Sequence, residues 1–200
     1  PRNTKGLIIG KEENKMGLSA SSTACLTLEN VELSKDNLLY EENKGFSIAM
    51  NALNGGRISV AAQAVGIATE AYRKSLSYAR QRKQFDKPLI SFEAIAWMLA
   101  DMATEIEASK VLVFNAAIKR ANGVEHTKEA SSAKLFASEM ANRVCNKAVQ
   151  IHGAYGYMKD YPLERYFRDV RATTIYEGTS EIQKIVIAKR VLQMEEPFDD

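Results

Sequence analysis

The sequence predicts a mainly α protein, a C-terminal antiparallel helical bundle preceded by a partial β-domain segment. Three observations carry that expectation. From residue 43 onward, apolar residues recur at helical spacing through long stretches that the four prolines hardly interrupt. Period-2 alternation is confined to the region before that point. The helical stretches are joined by short loops, and long helices with short loops pack as antiparallel neighbours. The expected division is residues 1–40 as the incomplete end of a β domain and residues 41–200 as the helical bundle.

The elements follow in order. Gly6 to Gly10 is a short apolar run, and residues 24–31 alternate as a half-buried strand does. Two or three strands do not make a stable sheet alone, so this region reads as the torn edge of a β domain. A first helix is expected over roughly residues 45–82, with Ala61, Ala62, Ala64, Val65, Ile67 and Ala68 as a close-packing surface. Gly55-Gly56 marks a kink or break in it. Residues 82–91 read as a loop and Ser91 as the N-cap of a second helix, which carries Ile95, Leu99, Met102, Ile106, Leu112 and Phe114 and stops at Asn122-Gly123. Thr127 caps a third, with Ala130, Ala133, Ala137, Ala141, Val144, Cys145 and Ala148 packed and Gly153 as terminator. Residues 153–157 form a glycine-aromatic loop, residues 162–171 a short helix, and a last helix runs from Ser180 to about Gln193.

Composition narrows the functional classes. Twenty-seven basic and 25 acidic residues, interspersed, leave a net charge of +2 and no basic stripe, which argues against nucleic acid. No apolar run approaches the ~20 residues of a membrane span. The start shows no targeting pattern and no Met, so the chain is expected to begin within a longer protein, in bacterial cytoplasm or the mitochondrial matrix. Cys25 and Cys145 read as unpaired buried thiols. His126 and His152 have no ligand cluster around them, so no metal site is expected.

Local chemistry is suggestive at a few points. Glu177, between Ile175-Tyr176 and a helix start, has the setting of a poorly solvated carboxylate suited to general-base work. From neighbouring residues alone the plainer reading, a glutamate beside a helix N-terminus, is favoured. Arg57 after the glycine pair is an anion-binding candidate or a surface arginine. Arg82 and Phe85 suit a phosphate and a stacked ring, or mere loop solubility and one core anchor. Gly153 to Gly156 permits close ligand approach or simply ends a helix.

Taken together the motifs resemble the acyl-CoA dehydrogenase family. Residues 175–183, Ile-Tyr-Glu-Gly-Thr-Ser-Glu-Ile-Gln, are similar to the signature of members whose base lies on this loop. Residues 161–169, Arg82-Lys-Gln-Phe85, residues 99–103 and residues 15–23 fall in family order and spacing. The short-chain (butyryl-type) and short/branched-chain members are most similar. The resemblance implies that Glu177 removes the α-proton of an acyl-CoA thioester while hydride passes to FAD, with electrons continuing to an electron-transfer flavoprotein. In some members the base precedes the arginine matching Arg57; here that position is Gly56, in agreement with Glu177.

The same resemblance places Phe46, Asn54, Gly55, Gly56, Arg57 and Gly178 on the substrate. It places Arg82, Phe85, Glu93, Gln150, Ile151, His152, Gly153 and Ala154 on FAD, with Arg82 on the cofactor of the neighbouring subunit. Thr179, Ser180 and Glu181 would hold FAD on the subunit that carries Glu177. A homotetramer, a dimer of dimers, is implied. Three positions depart from the family pattern: Glu93 stands where an amide is common, and Ala154 and Asp86 stand where glycine is. The family also has an N-terminal helical domain and a fuller β domain, so these residues alone are expected to hold FAD weakly and to be inactive. The alternative is a helical oligomerisation or interaction domain without flavin.

Overall fold

A computed structural model describes residues 2–194, with side chains described as far as residue 192; the last six residues of the expected helical unit lie outside this range. Strands β1 (Leu7–Glu12) and β2 (Ala24–Leu28) pair antiparallel with an irregularity between Ile9 and Glu12. Ile8, Ile9, Leu26 and Leu28 of this hairpin stay exposed, as expected of two strands with no second layer.

Helix α1 (Gly45–Gln81) is followed by the short strands β3 (Lys83–Gln84) and β4 (Lys87–Pro88). Then come α2 (Glu93–Ala121), α3 (Thr127–His152), the single turn α4 (Ala154–Tyr157), α5 (Leu163–Arg171) and α6 (Ser180–Met194).

Helices α1 and α3 run parallel, with α2 antiparallel to both. The pairs Asn54–Thr127 and Tyr78–His152 tie the two ends of α1 to the matching ends of α3. Arg143–Glu105 and Lys147–Asp101 join α3 to α2 in the opposite sense. Helix α6 runs down α3, from Ser180 at Glu139 to Arg190 at Glu125. The most extensive packing is between α1 and α3. It is built from small side chains: Ala61, Ala64, Ala68, Ala71, Ser75 and Ala79 face Ala130, Ala133, Ala137, Ala141 and Ala148 across a seam with no solvent exposure. Alternating steps of three and four residues keep these on one stripe, and the absent side-chain bulk lets the two backbones approach.

Several expectations need correction. Gly55-Gly56 does not break α1, because glycine costs a helix interior only about 1 kcal/mol, which 37 residues of packed helix absorb. Ala62 and Phe114 point outward, Phe114 being 65% exposed. Ser91 lies in a 3-10 turn and Phe92 takes the N-cap position of α2. Thr127 is the first residue of α3; its N–H is capped by the Glu125 carboxylate, and its own hydroxyl accepts from Asn54. Residues 82–91 hold a tight hairpin turned at Phe85 and Asp86, both with positive φ, as a two-residue primed turn requires. Residues 154–157 form a helical turn rather than a loop. Both cysteines are free, but Cys25 is exposed; only Cys145 is buried, and burial pushes its thiol up to about 12. Gly123 and Gly153 end their helices with positive φ, as expected.

Candidate active site

Three elements converge on Glu177: α1 at residues 54–57, α3 at residues 127–134, and the turn between α5 and α6. Glu177 and Gly178 both have positive φ, 57° and 91°. That conformation is natural for glycine and costs a glutamate about 1–2 kcal/mol, and such strain concentrates at functional sites. The strained turn lays the Glu177 side chain over Gly56. A Cβ built on Gly56 would lie 2.7 Å from the Glu177 Cδ, so only glycine admits the carboxylate here. Gly55 makes equal room for the Arg120 guanidinium, 2.6 Å from such a Cβ. The glycine pair thus serves two close approaches rather than a kink. It also puts residue 56 and the end of residue 177 at one point in space.

The Glu177 Oε2 is buried with no hydrogen-bond partner among the described residues. A buried carboxylate oxygen ordinarily finds a donor, so an unpartnered one marks this turn as a candidate site. Arg57 is not a surface arginine. It is 5% exposed, donates to Asn54 Oδ1 at 2.9 Å and Ser131 Oγ at 3.3 Å, and has its own Nε unpartnered. Burial lowers its pKa and the nearby Glu177 charge raises it.

Two further residues belong here that the sequence reading did not single out. Lys134 is fully buried and donates to the Gly178 carbonyl at 2.7 Å. Burial brings its ammonium down to about 8, partly offset by Glu139. Its signal was available: position 134 falls on the helical stripe of Ala130, Ala137 and Ala141, where a lysine is out of place. Gln183, also fully buried, donates to the carbonyls of Gly178 at 2.9 Å and Glu177 at 3.2 Å. The Tyr176 hydroxyl bonds Gln63 of α1. Beside them an apolar cavity of about 630 Å³ opens between residues 15–23, Gln63, Ile175 and Tyr176. Residues 16–18 are pinned to α5 there: Arg168 donates to the Met16 carbonyl and Leu18 N–H to Asp169, both within 2.7 Å.

Thr179, Ser180 and Glu181 border a separate polar cavity of about 330 Å³ with Asn142, Arg171 and Glu139. The lining mixes hydroxyl and amide donors and one guanidinium with the carboxylates of Glu139 and Glu181, which suits a polyol better than a phosphate. Phe46, near the start of α1, is 77% exposed.

The remaining candidates gather at the opposite end of α1. Arg82 lies 5.9 Å from the Tyr155 ring, and Phe85 is 86% exposed at the tip of its turn, edge-on to Phe92. Gly153 faces open space, and Gln150 and Ala154 are exposed. Ile151 and His152 turn inward: His152 stacks on Tyr78 at 4.3 Å and its Nδ1–H donates to the Ala148 carbonyl, so a ligand here meets only their backbone. Glu93 is exposed in the first turn of α2, where the helix dipole favours a carboxylate. Basic and aromatic groups around open glycine backbone suit a planar, anionic nucleotide end. Arg57 and Gln81 are separated by roughly 36 Å of helix at 1.5 Å per residue, so the structure does not bring the two groups together within one chain. No candidate metal cluster is present, and no helix is long and apolar enough to cross a membrane, among the described residues.

A glutamate in a strained turn, with its carboxylate against a helical glycine, on a bundle of this topology, points to an acyl-CoA dehydrogenase-type domain. Residues 43–192 match the family model for the acyl-CoA dehydrogenase C-terminal domain, and the chain belongs to that family. It is 51% identical over 190 residues to the caffeyl-CoA reductase–Etf complex subunit CarC of Acetobacterium woodii, covering 95% of this chain and 50% of the relative. It superposes on butyryl-CoA dehydrogenase from Megasphaera elsdenii with a TM-score of 0.94 at 48% identity, over 95% of this chain and 50% of that one. An acyl-CoA dehydrogenase complexed with FAD from Bacillus anthracis matches with a TM-score of 0.91 at 35% identity, over 97% of this chain and 37% of that one. The chain therefore spans about half the length of the first two proteins.

Proposed function

We propose that this chain supplies the catalytic base and one wall of the acyl-CoA site in a FAD-dependent oxidoreductase that converts a short-chain acyl-CoA to the trans-2-enoyl-CoA. The observation that carries the proposal is the Glu177 carboxylate lying against Gly56, with its Oε2 buried and unpartnered among the described residues. Glu177 takes the α-proton. FAD, when bound, accepts the hydride that leaves the β-carbon, so two hydrogens depart and a carbon–carbon double bond remains. The turn holds the base still, which removes an orientational cost from the transition state. The backbone N–H of Glu177 donates to the thioester carbonyl as negative charge develops there. Arg57, Asn54, Gly178 and the exposed Phe46 line the approach of the CoA thioester, and the apolar cavity beside Tyr176 gives room for acyl carbon.

Thr179, Ser180 and Glu181 hold FAD on the subunit of Glu177. Arg82, Phe85, Glu93 and the backbone of residues 150–154 hold the cofactor of a neighbouring subunit within a homotetramer. The exposed apolar faces of β1 and β2 are covered by the rest of a middle β domain, residues 1–40 being its end. In this reading the 200 residues alone are inactive. The acceptor is an electron-transfer flavoprotein, in bacterial cytoplasm or the mitochondrial matrix. The identity to a caffeyl-CoA reductase subunit supports a second reading, the same chemistry run toward the saturated thioester with Glu177 delivering the proton.

The test is anaerobic titration of the flavin-loaded enzyme that carries this chain. Butyryl-CoA is expected to bleach the flavin in the parent and not in Glu177→Gln. Net reduction of an enoyl-CoA by the reduced enzyme, with no bleaching by butyryl-CoA, selects the second reading. Bleaching by Glu177→Gln at the parental rate rules out Glu177 as the base.

A further inference from the structure

Lys134 and Gln183 are poor choices for fold stability. A lysine with no solvent exposure carries a charge out of water, and the lowered basicity of Lys134 reflects that cost. Gln183 is buried too, and its Oε1 has no hydrogen-bond partner among the described residues. The amide cannot simply be turned over, because Oε1 would then face two carbonyl oxygens in place of the Nε2 that now donates to both. Groups that cost the fold and whose side-chain hydrogen bonds, among the described residues, all go to one turn point to the turn itself.

That turn is the one that carries Glu177. Its two following peptide planes have their oxygens held from inside: the Glu177 carbonyl by Gln183, and the Gly178 carbonyl by both Gln183 and Lys134. Peptide planes are rigid, so holding both oxygens fixes φ and ψ of Gly178, the dihedrals between the two planes, and sets the orientation of the plane that leaves the Glu177 Cα. Gly178 completes the arrangement. A Cβ there would lie 2.7 Å from the Gln183 Nε2 and would push the amide off both carbonyls. With the plane that leaves the Glu177 Cα held, the Glu177 side chain lies with its carboxylate against Gly56.

We propose that Lys134 and Gln183 are positioning residues that clamp the two peptide planes after Glu177 and thereby set where its carboxylate lies. The clamp rests on the reading of Glu177 as the base, and its effect on the backbone can be measured apart from that reading. It acts on placement of the base rather than on binding of the thioester.

The experiment uses the flavin-loaded enzyme with Lys134→Met, the isosteric Gln183→Glu, Gln183→Met and, as a surface control, Lys147→Met. Melting temperature, amide hydrogen exchange in residues 176–183, and kcat, KM and the isotope effect with α-deuterated butyryl-CoA are read on each. The Met variants are expected to melt within a few degrees of the parent or above it. Loop exchange is expected to accelerate about tenfold or more in all three clamp variants. Their kcat should fall about 100-fold, with KM within about threefold of the parent and a larger isotope effect, because a misplaced base slows proton abstraction. Gln183→Glu should be no better than Gln183→Met, since it keeps the shape and loses the donor. Loop exchange equal to the control, a kcat within about threefold of the parent, or a loss confined to KM overturns the clamp. Accelerated exchange in a parent background inert toward acyl-CoA supports the clamp and sinks Glu177 as the base.

Discussion

Adding a methyl group at residue 56 sets two effects against each other. Alanine is the better helix former by about 1 kcal/mol, which favours Gly56→Ala in the middle of α1. The new Cβ, however, falls on the Glu177 carboxylate. The obstructed group is the free end of a side chain, so it swings aside and the backbone stays put. Gly56→Ala is therefore expected to keep or raise the melting temperature, by about 2–4 °C for 1 kcal/mol, while turnover falls about 100-fold from a displaced base. Thermal melts and single-turnover flavin reduction check the two halves; a lower melting temperature with parental turnover would refute the argument. Glu177 was singled out from the resemblance of residues 175–183 to a family signature, and Gly56 and Arg57 from their positions in the same family. What local residues could not show is that residues 56 and 177 meet, since 120 residues of chain lie between them and only the fold closes the gap. Gln183 escaped because its hydrogen bonds go to backbone carbonyls, which no side-chain pattern advertises, whereas Lys134 could have been found as a lysine on a stripe of alanines.

At the scale of elements, the α1–α3 seam decides how closely the bundle packs. Ala64 has no exposure and Ala62, two residues away, lies on the solvent side. Leucine at residue 64 overpacks a seam of alanines, at a typical cost of about 1–3 kcal/mol. Leucine at residue 62 meets water and stays within about 0.5 kcal/mol of the parent. Ala64→Leu is thus expected to lower the melting temperature by roughly 2–12 °C, and Ala62→Leu to shift it by about 2 °C or less; equal shifts in the two would show that the seam tolerates bulk. The contrast also shows where sequence reading succeeds. Helices α1, α2, α3 and α6 were each anticipated to within a few residues, because apolar periodicity over about four or more turns is a strong signal, and the shorter α5 was placed as closely. Ala62 was assigned to the wrong face because a run of small residues has little amphipathic contrast. The caps of α2 and α3 shifted by a residue because the capping groups, the extended Phe92 and the Glu125 carboxylate, are not the usual hydroxyl. The hairpin at residues 83–88 was read as loop because neither Phe85 nor Asp86 announces a left-handed turn as Asn-Gly would.

At the scale of the whole molecule, the length of α1 has a consequence for assembly. The cluster at Glu177 and the cluster at Arg82, Phe85 and Gly153 lie at opposite ends of a single unbroken helix, roughly 36 Å apart along its axis. If both serve one flavin site, as proposed, each site draws on two chains, and a symmetric pairing gives a dimer two equivalent mixed sites. Complementation between inactive variants tests this. One variant carries Glu177→Gln; the other carries Arg82→Ala with Phe85→Ala, which spares the base. In a mixed dimer one site receives both defects and the other receives neither. Random assembly of equal amounts makes about half the dimers mixed, so about a quarter of all sites are expected to be intact. Co-expressed variants should then recover about a quarter of the parental kcat per site with an unchanged KM, while each alone stays inactive. Recovery is predicted only if the two ends of α1 work for different sites; if the Arg82 cluster served the Glu177 of its own chain, every site would carry one defect or the other and mixing would restore nothing.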